Sequence, residues 1–334
     1  MIVASPGLFV KNFTFMLPPS DSPPSVSAIL ILGAGVMAIS TASIFIKFAL
    51  VEAPSLSIAA YRLAIASIVL APITFWRYRG QLVRLKPIDF ILALAAGVLL
   101  AGHFAAWIAS FEYTSVASSI VLVTTVPLWV ALFSPWLLKE PLARAAIYGL
   151  ILVILGAALV GLSDTCTLRS AANDCLRPGP TNQSQALRGN LLSLTGALTG
   201  AGYLIIGRGL RARLTTIPYI FLVYSIAALF LVSALLLSGA QAAGFSPQTY
   251  LWFVLLALIP QLIGHSSFNW ALGYLPANIV SIAFLGEPVG AILLAYLFLA
   301  ERPSALKLFG AILILTGIYV ASTRKTNPLV ERFD

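Results

Sequence analysis

Charge is scarce in this 334-residue chain: Asp, Glu, Lys and Arg make up 9% of it, against 60% apolar residues and a mean hydropathy of +0.98. Such a composition cannot be folded around one soluble core, and it points to a polytopic membrane protein. Histidine is limited to His103 and His265, and cysteine to Cys166 and Cys175. The chain also lacks a G-x-x-x-x-G-K-[ST] phosphate loop, an H-E-x-x-H pair and a G-x-S-x-G elbow. These absences argue against an enzyme, a bound metal, a cofactor and ATP-driven work within this chain.

What the sequence does contain is itself, twice. Tyr113, Pro127, Glu140, Gly149 and Gly156 recur as Tyr274, Pro288, Glu301, Gly310 and Gly317, each displaced by 161 positions. A helix crossing roughly 30 Å of hydrocarbon needs about 20 mostly apolar residues. Ten such spans are expected, at 28–50, 56–75, 88–110, 115–138, 143–162, 189–207, 217–238, 249–270, 277–299 and 306–323. Moving the first five by the same offset gives the second five. An odd number of spans per copy makes the two copies enter the membrane in opposite senses, so the expected fold class is an all-α membrane protein of ten transmembrane helices in two inverted five-helix repeats.

Basic residues fix the expected orientation. With both termini cytoplasmic, Arg77, Arg79, Arg84, Lys86, Lys139, Arg144, Arg208, Arg211, Arg213, Arg324, Lys325, Lys11 and Arg332 face the cytoplasm, whereas Arg169, Arg177, Arg188, Arg302 and Lys307 lie outside. The net charge of +9 is thereby spent on loop anchors, with no aromatic-interleaved face for nucleic acid. The organisation read from these patterns is a Pro- and Ser-rich cytoplasmic tail (1–27), a first repeat (28–162), an outer loop (163–188), a second repeat (189–323) and a short cytoplasmic tail (324–334). Cys166 and Cys175 fall in the outer loop, as a disulfide staple or as two free thiols; their spacing is not that of a C-x-x-C redox pair.

Polar groups inside the spans are few, and a charge facing lipid costs at least about 2.5 kcal/mol at the bilayer centre. Glu287 lies roughly 15 Å into span 9, near the midplane. Gly286 and Pro288 flank it, and Pro127 breaks span 4 at the matching position. The residues allow two readings of Glu287: substrate or proton binding, or a protonated group in a packing kink. Counting residues from the span ends puts His103 and Trp107 near the outer mouth and His265 and Asn269 near the inner one, either as a pair of gates or as buried structural residues. Lys47, counted with Arg62, Glu287, His103, Trp107, His265 and Asn269 among the candidate substrate-binding residues, is also placed to snorkel to the surface. Arg62 requires an interior partner such as Glu52, or an anionic group on a substrate. Gly196-x-x-x-Gly200 is a weak signal for close helix packing.

Several stretches carry a family resemblance: Phe45-Ile46-Lys47, Tyr61-Arg62, Glu112-Tyr113-Thr114-Ser115-Val116-Ala117, Leu138-Lys139-Glu140, Leu285-Gly286-Glu287-Pro288-Val289 and Leu299-Ala300-Glu301-Arg302. In this order, over residues 28–323, the chain resembles the drug/metabolite transporter superfamily and within it the EamA branch, with two EamA repeats. The resemblance implies a central cavity open alternately to each side, taking amino acids, other small metabolites or drugs, often for export. The resulting expectation is a secondary-active transporter in a cell membrane of the bacterial inner-membrane type, surrounded by lipid and coupled to protons or to no ion. Its pathway is expected along spans 3, 4, 8 and 9. Two other readings stay open: a nucleotide-sugar or phosphate-ester antiporter of the same superfamily, which calls for basic residues in the cavity, and a non-transporting membrane scaffold, which calls for no cavity. Substrate, direction and oligomeric state are not legible.

Overall fold

The computed structural model describes residues 26–137, 144–165, 183–273, 280, 283–284 and 286–322. Tyr274, Glu140, Cys166 and Cys175 lie outside the described residues. Every regular element among the described residues is helical. In chain order these are α1 (Val26–Ser40), α2 (Ala42–Ala49), α3 (Ser55–Arg77), α4 (Arg79–Val83), α5 (Pro87–Ser110), α6 (Val116–Val123), α7 (Val126–Leu137), α8 (Arg144–Thr165), α9 (Gln183–Arg211), α10 (Thr216–Ser238) and α11 (Pro247–Leu256). A π-helical stretch, Ala257–His265, continues α11, and α12 (Ser266–Ala271), α13 (Gly286–Leu299) and α14 (Ala305–Ser322) follow.

Helix ends fall where local chemistry puts them. Pro87 and Pro247 occupy first-turn positions of α5 and α11, where a missing N–H costs nothing. Ser115 and Ser246 cap α6 and α11 by accepting the Ser118 and Thr249 amides, at 3.2 and 3.3 Å. Gly239 closes α10 in the left-handed region, at φ 67°.

Six of the helical stretches are long and apolar enough to cross a membrane: Leu30–Ala49, Ser55–Arg77, Pro87–Ser110, Ser184–Arg211, Thr216–Ser238 and Pro247–Ala271. Four shorter apolar stretches, Val116–Val130, Ile147–Val160, Gly286–Leu299 and Ala305–Gly317, fall inside the remaining expected spans to within one residue. Long and short stretches alike have apolar outward faces, with Leu229, Leu236 and Leu237 of α10 and Leu293, Leu297 and Phe298 of α13 all exposed. A soluble protein does not expose so much aliphatic surface, whereas lipid accepts it.

The repeated glycines are explained by packing. α8 runs along α14, and a Cβ built on Gly156 would stand 2.6 Å from the Gly310 carbonyl oxygen, while one on Gly317 would stand 2.7 Å from that of Gly149. Matched glycines of the two halves thus let one pair of backbones touch. α9 packs along α5, and α10 against α3 and α5, which brings the two halves of the chain together around the middle of the molecule.

Candidate functional site

Two helix breaks meet at the centre. α6 stops at Val123 and α7 restarts at Val126, with Pro127 as its second residue. Proline lacks the N–H that would continue the ladder, and its ring clashes with the carbonyl four residues back. α13 begins at Gly286, so Glu287 and Pro288 sit in its first turn, and the Glu287 amide bonds the Phe284 carbonyl at 3.0 Å. Between the two breaks lies a cavity open in part to the exterior, with about 510 Å³ of empty space when the adjoining open solvent is counted. Its wall combines His103, Trp107, Thr124, Tyr203, His265 and Glu287 with apolar side chains such as Leu100, Val123, Leu204 and Phe284.

The glycine pair of α9 positions His103. Its Nδ1 lies 2.8 Å from the Gly196 carbonyl oxygen, so Nδ1 carries the proton and Nε2 is left as an acceptor. Gly200 supplies the room, since a Cβ there would fall 2.8 Å from the same nitrogen. Trp107 stacks on the His103 ring at 5.9 Å between centroids. The His265 ring approaches His103 to 6.5 Å and Phe104 to 5.4 Å, both edge-on.

Behind this wall Arg62 is completely buried. Its Nε donates to Gln261 Oε1 at 2.7 Å, and its guanidinium lies 4.2 Å from the Phe104 ring centroid and 5.9 Å from that of Trp107. Gln261 sits in the π-helical stretch, directly after Pro260. Such wide turns recur where a helix has been adapted to a site.

A scan against family models finds the EamA-like transporter family twice, over residues 26–162 and 187–323. The chain belongs to the EamA-like transporter family. Three curated relatives agree over most of their length. An uncharacterized transporter of Archaeoglobus fulgidus is 23% identical over 84% of this chain and 92% of that protein. The uncharacterized transporters YetK and YxxF of Bacillus subtilis are 23% and 24% identical, covering 88% and 74% of this chain and 87% and 75% of their own. A solved crystal structure shares the fold, with a TM-score of 0.61 and 19% identity over 88% of this chain and 96% of that one. The protein is therefore a multi-pass membrane protein of a transporter family.

Within this EamA protein the site differs from the sequence expectation in four places. His103 and His265 do not stand at opposite mouths; they meet in one cavity. The expectation came from counting residues along straight helices, and both the crossing of the helices and the π-helical stretch invalidate that count. Arg62 does not pair with Glu52. Glu52 instead accepts the Ser246 amide at 2.8 Å and the hydroxyls of Ser246 and Thr249 at one end of the molecule, and Arg62 takes Gln261. Lys47 is outside the cavity wall, donating to the Phe111 carbonyl at 2.9 Å. Asn269 is also outside it, accepting from the Tyr203 hydroxyl at 2.7 Å and donating to the Tyr224 hydroxyl at 3.2 Å and the His265 carbonyl at 2.9 Å.

Asn269 belongs to a seal at the other end. Arg211 donates through Nε to the Asn269 carbonyl at 2.9 Å and through Nη1 to that of Leu214, Arg213 pairs with Asp89, and the Thr215 hydroxyl bonds Gln81 at 3.1 Å. At the opposite end, besides Glu52, Ser57 and Tyr61 bond the Gln241 and Ala242 carbonyls at 2.5 and 2.9 Å. The cavity therefore lies between two sets of polar ties. Span 6 was absent from the expected pathway, yet Gly200, Tyr203 and Leu204 of α9 line it.

Proposed function

We propose that this protein is a secondary-active transporter that carries a small organic solute across the cell membrane by alternating access, in the direction of export. In this reading ten helices form two inverted five-helix repeats, residues 28–162 and 189–323, with both termini cytoplasmic and one repeat rocking against the other. The observation that carries the proposal is the cavity between the two proline breaks, to which both halves contribute: His103, Trp107 and Thr124 from the first, Tyr203, His265 and Glu287 from the second. Polar ties lie at both ends of that cavity, and alternating access requires them to break in turn. Glu287, His103, Trp107 and His265 are the residues assigned to solute binding.

The rival readings fare worse against the same wall. A nucleotide-sugar or phosphate-ester antiporter needs several cations at the solute, and the described lining residues include neither Lys nor Arg, with Arg62 alone standing behind the wall. A sealed scaffold needs no pocket whose polar lining comes from both halves of the chain.

Two measurements test the proposal. In a chain freed of Cys166 and Cys175, cysteines placed along α7 and α13 are expected to label from one side or the other as conditions change; labelling that never alternates overturns the carrier. In proteoliposomes at saturating solute, Glu287→Gln is expected to abolish pH-driven flux while exchange, weakened by the loss of a binding carboxylate, persists. Unchanged pH dependence removes proton coupling and leaves facilitated diffusion.

A further inference from the structure

Four buried hydrogen-bond donors beside the cavity have no acceptor among the described residues: Nη1 and Nη2 of Arg62, Nε2 of Gln261 and Nε1 of Trp107. They form one group, because Arg62 holds the other end of the Gln261 amide and lies against the Trp107 ring. A buried donor without an acceptor is unfavourable, and a charged one more so. The cluster is matched to a compact, acceptor-only group. A carboxylate is such a group, with two oxygens in the spacing of a guanidinium fork and about four lone-pair sites.

Glu287 presents the complementary deficit. Its carboxylate lines the cavity and receives no hydrogen bond from the described residues. Arg62 and Glu287 act on each other through space, yet they are not in ion-pair contact. The Gln261 bond and the Phe104 ring hold the guanidinium on its own side. A ligand bearing only a cation would satisfy Glu287 but meet the like charge of Arg62, and one bearing only an anion would meet that of Glu287. A ligand with both charges leaves neither opposed. His103 shares the cavity wall with Glu287, and with Nδ1 donating to Gly196 its Nε2 is a second acceptor, which suits an ammonium.

We propose that Arg62 and Glu287 read the two ends of a small zwitterion, with the carboxylate at the Arg62, Gln261 and Trp107 donors, the ammonium at Glu287 and His103, and an apolar body against Leu100, Val123 and Leu204. Trp107 is both wall of the cavity and cover of the guanidinium, so it is the side chain that turns to admit the carboxylate. This inference rests on the transporter reading of the same cavity.

The test is counterflow in proteoliposomes of the full chain. The probes are a panel of apolar α-amino acids, each with its decarboxylated amine and its deaminated acid. Removal of either charged group is expected to weaken competition by at least about thirtyfold, the low end for leaving a buried charge unpaired. Arg62→Lys, which keeps the charge and loses the fork, is expected to weaken competition by the amino acid more than competition by its decarboxylated amine, a difference that a loss of stability alone does not produce. An amine or an acid that competes as well as its parent overturns the proposal, as does a panel in which no zwitterion competes while another solute is carried. Failure to carry any solute strikes the transporter reading itself.

Discussion

The rings of His103 and His265 stand 6.5 Å apart, edge to face, in a single cavity. The cysteine pair H103C/H265C, in a chain freed of Cys166 and Cys175, is therefore expected to be bridged by a short bifunctional thiol reagent. Gel mobility of the bridged protein after proteolysis between the repeats reads the outcome. An arrangement with the two positions at opposite mouths gives no bridge.

The His103 ring depends on the bareness of Gly200. A methyl there would lie 2.8 Å from His103 Nδ1 and 3.3 Å from Val126 Cγ2. Gly200→Ala is expected to lower stability by about 1–3 kcal/mol, as overpacking does, and to depress flux with it. Gly33→Ala, where nothing stands within 4 Å, is the control; thermal melting is expected to show it unchanged or up to about 1 kcal/mol more stable.

Asn269 ties three partners at the opposite end of the bundle from Glu52. Asn269→Ala leaves the Tyr203 and Tyr224 hydroxyls without it, and a loss of about 2–4 kcal/mol is expected from the buried groups stranded. The melting temperature of the purified protein measures this. Labelling of a cysteine at Thr124 is expected to become faster from that end.

Glu52 gives the tie at its own end a pH dependence. Hydrogen bonds from the Thr249 hydroxyl and then the Ser246 hydroxyl hold its carboxyl below the ordinary value of 4.5. A lowered folded value means that the contribution is complete above pH 4.5 and lost as the pH falls through the folded value. The melting temperatures of wild type and Glu52→Gln are thus expected to differ at pH 6–7, roughly two units above the ordinary carboxylate range, and to converge in acid. A constant difference throughout would refute the assignment.

The midplane breaks were legible in the sequence because proline and glycine state their backbone requirements locally. Pro127 and the Gly286-Glu287-Pro288 run sit at helix starts, as their chemistry demands. Glu287 was legible for a related reason, being a charge in an apolar run. Gln261 and Tyr203 were missed. An amide and a phenol raise no alarm in hydropathy, although Gln261 adjoins Pro260 as Glu287 adjoins Pro288. The convergence of the histidines was illegible because depth along a chain was taken as depth in a bundle, and side-chain direction depends on how many residues each turn contains. The partner of Arg62 was misread because Glu52, though a carboxylate, sits past the end of α2 with its own hydroxyl partners.

The wide turn between Ala257 and His265 acts as a phase correction between the two halves of the chain. The internal offset of 161 assigns the counterpart of His103 to position 264, yet that residue is glycine and the histidine comes one step later. One step along an ordinary α-helix swings a side chain by about 100°, enough to turn it off the shared face. A side chain at 264 would collide with Ile39, whose Cγ2 is 2.4 Å from the place of a Cβ. Winding more residues into each turn takes up that extra step and returns the imidazole to its partner. A sequence that slipped by one residue thus keeps its two rings in phase, and deleting one residue of the stretch before His265 is expected to undo the slip and the wide turn together, leaving the rings facing.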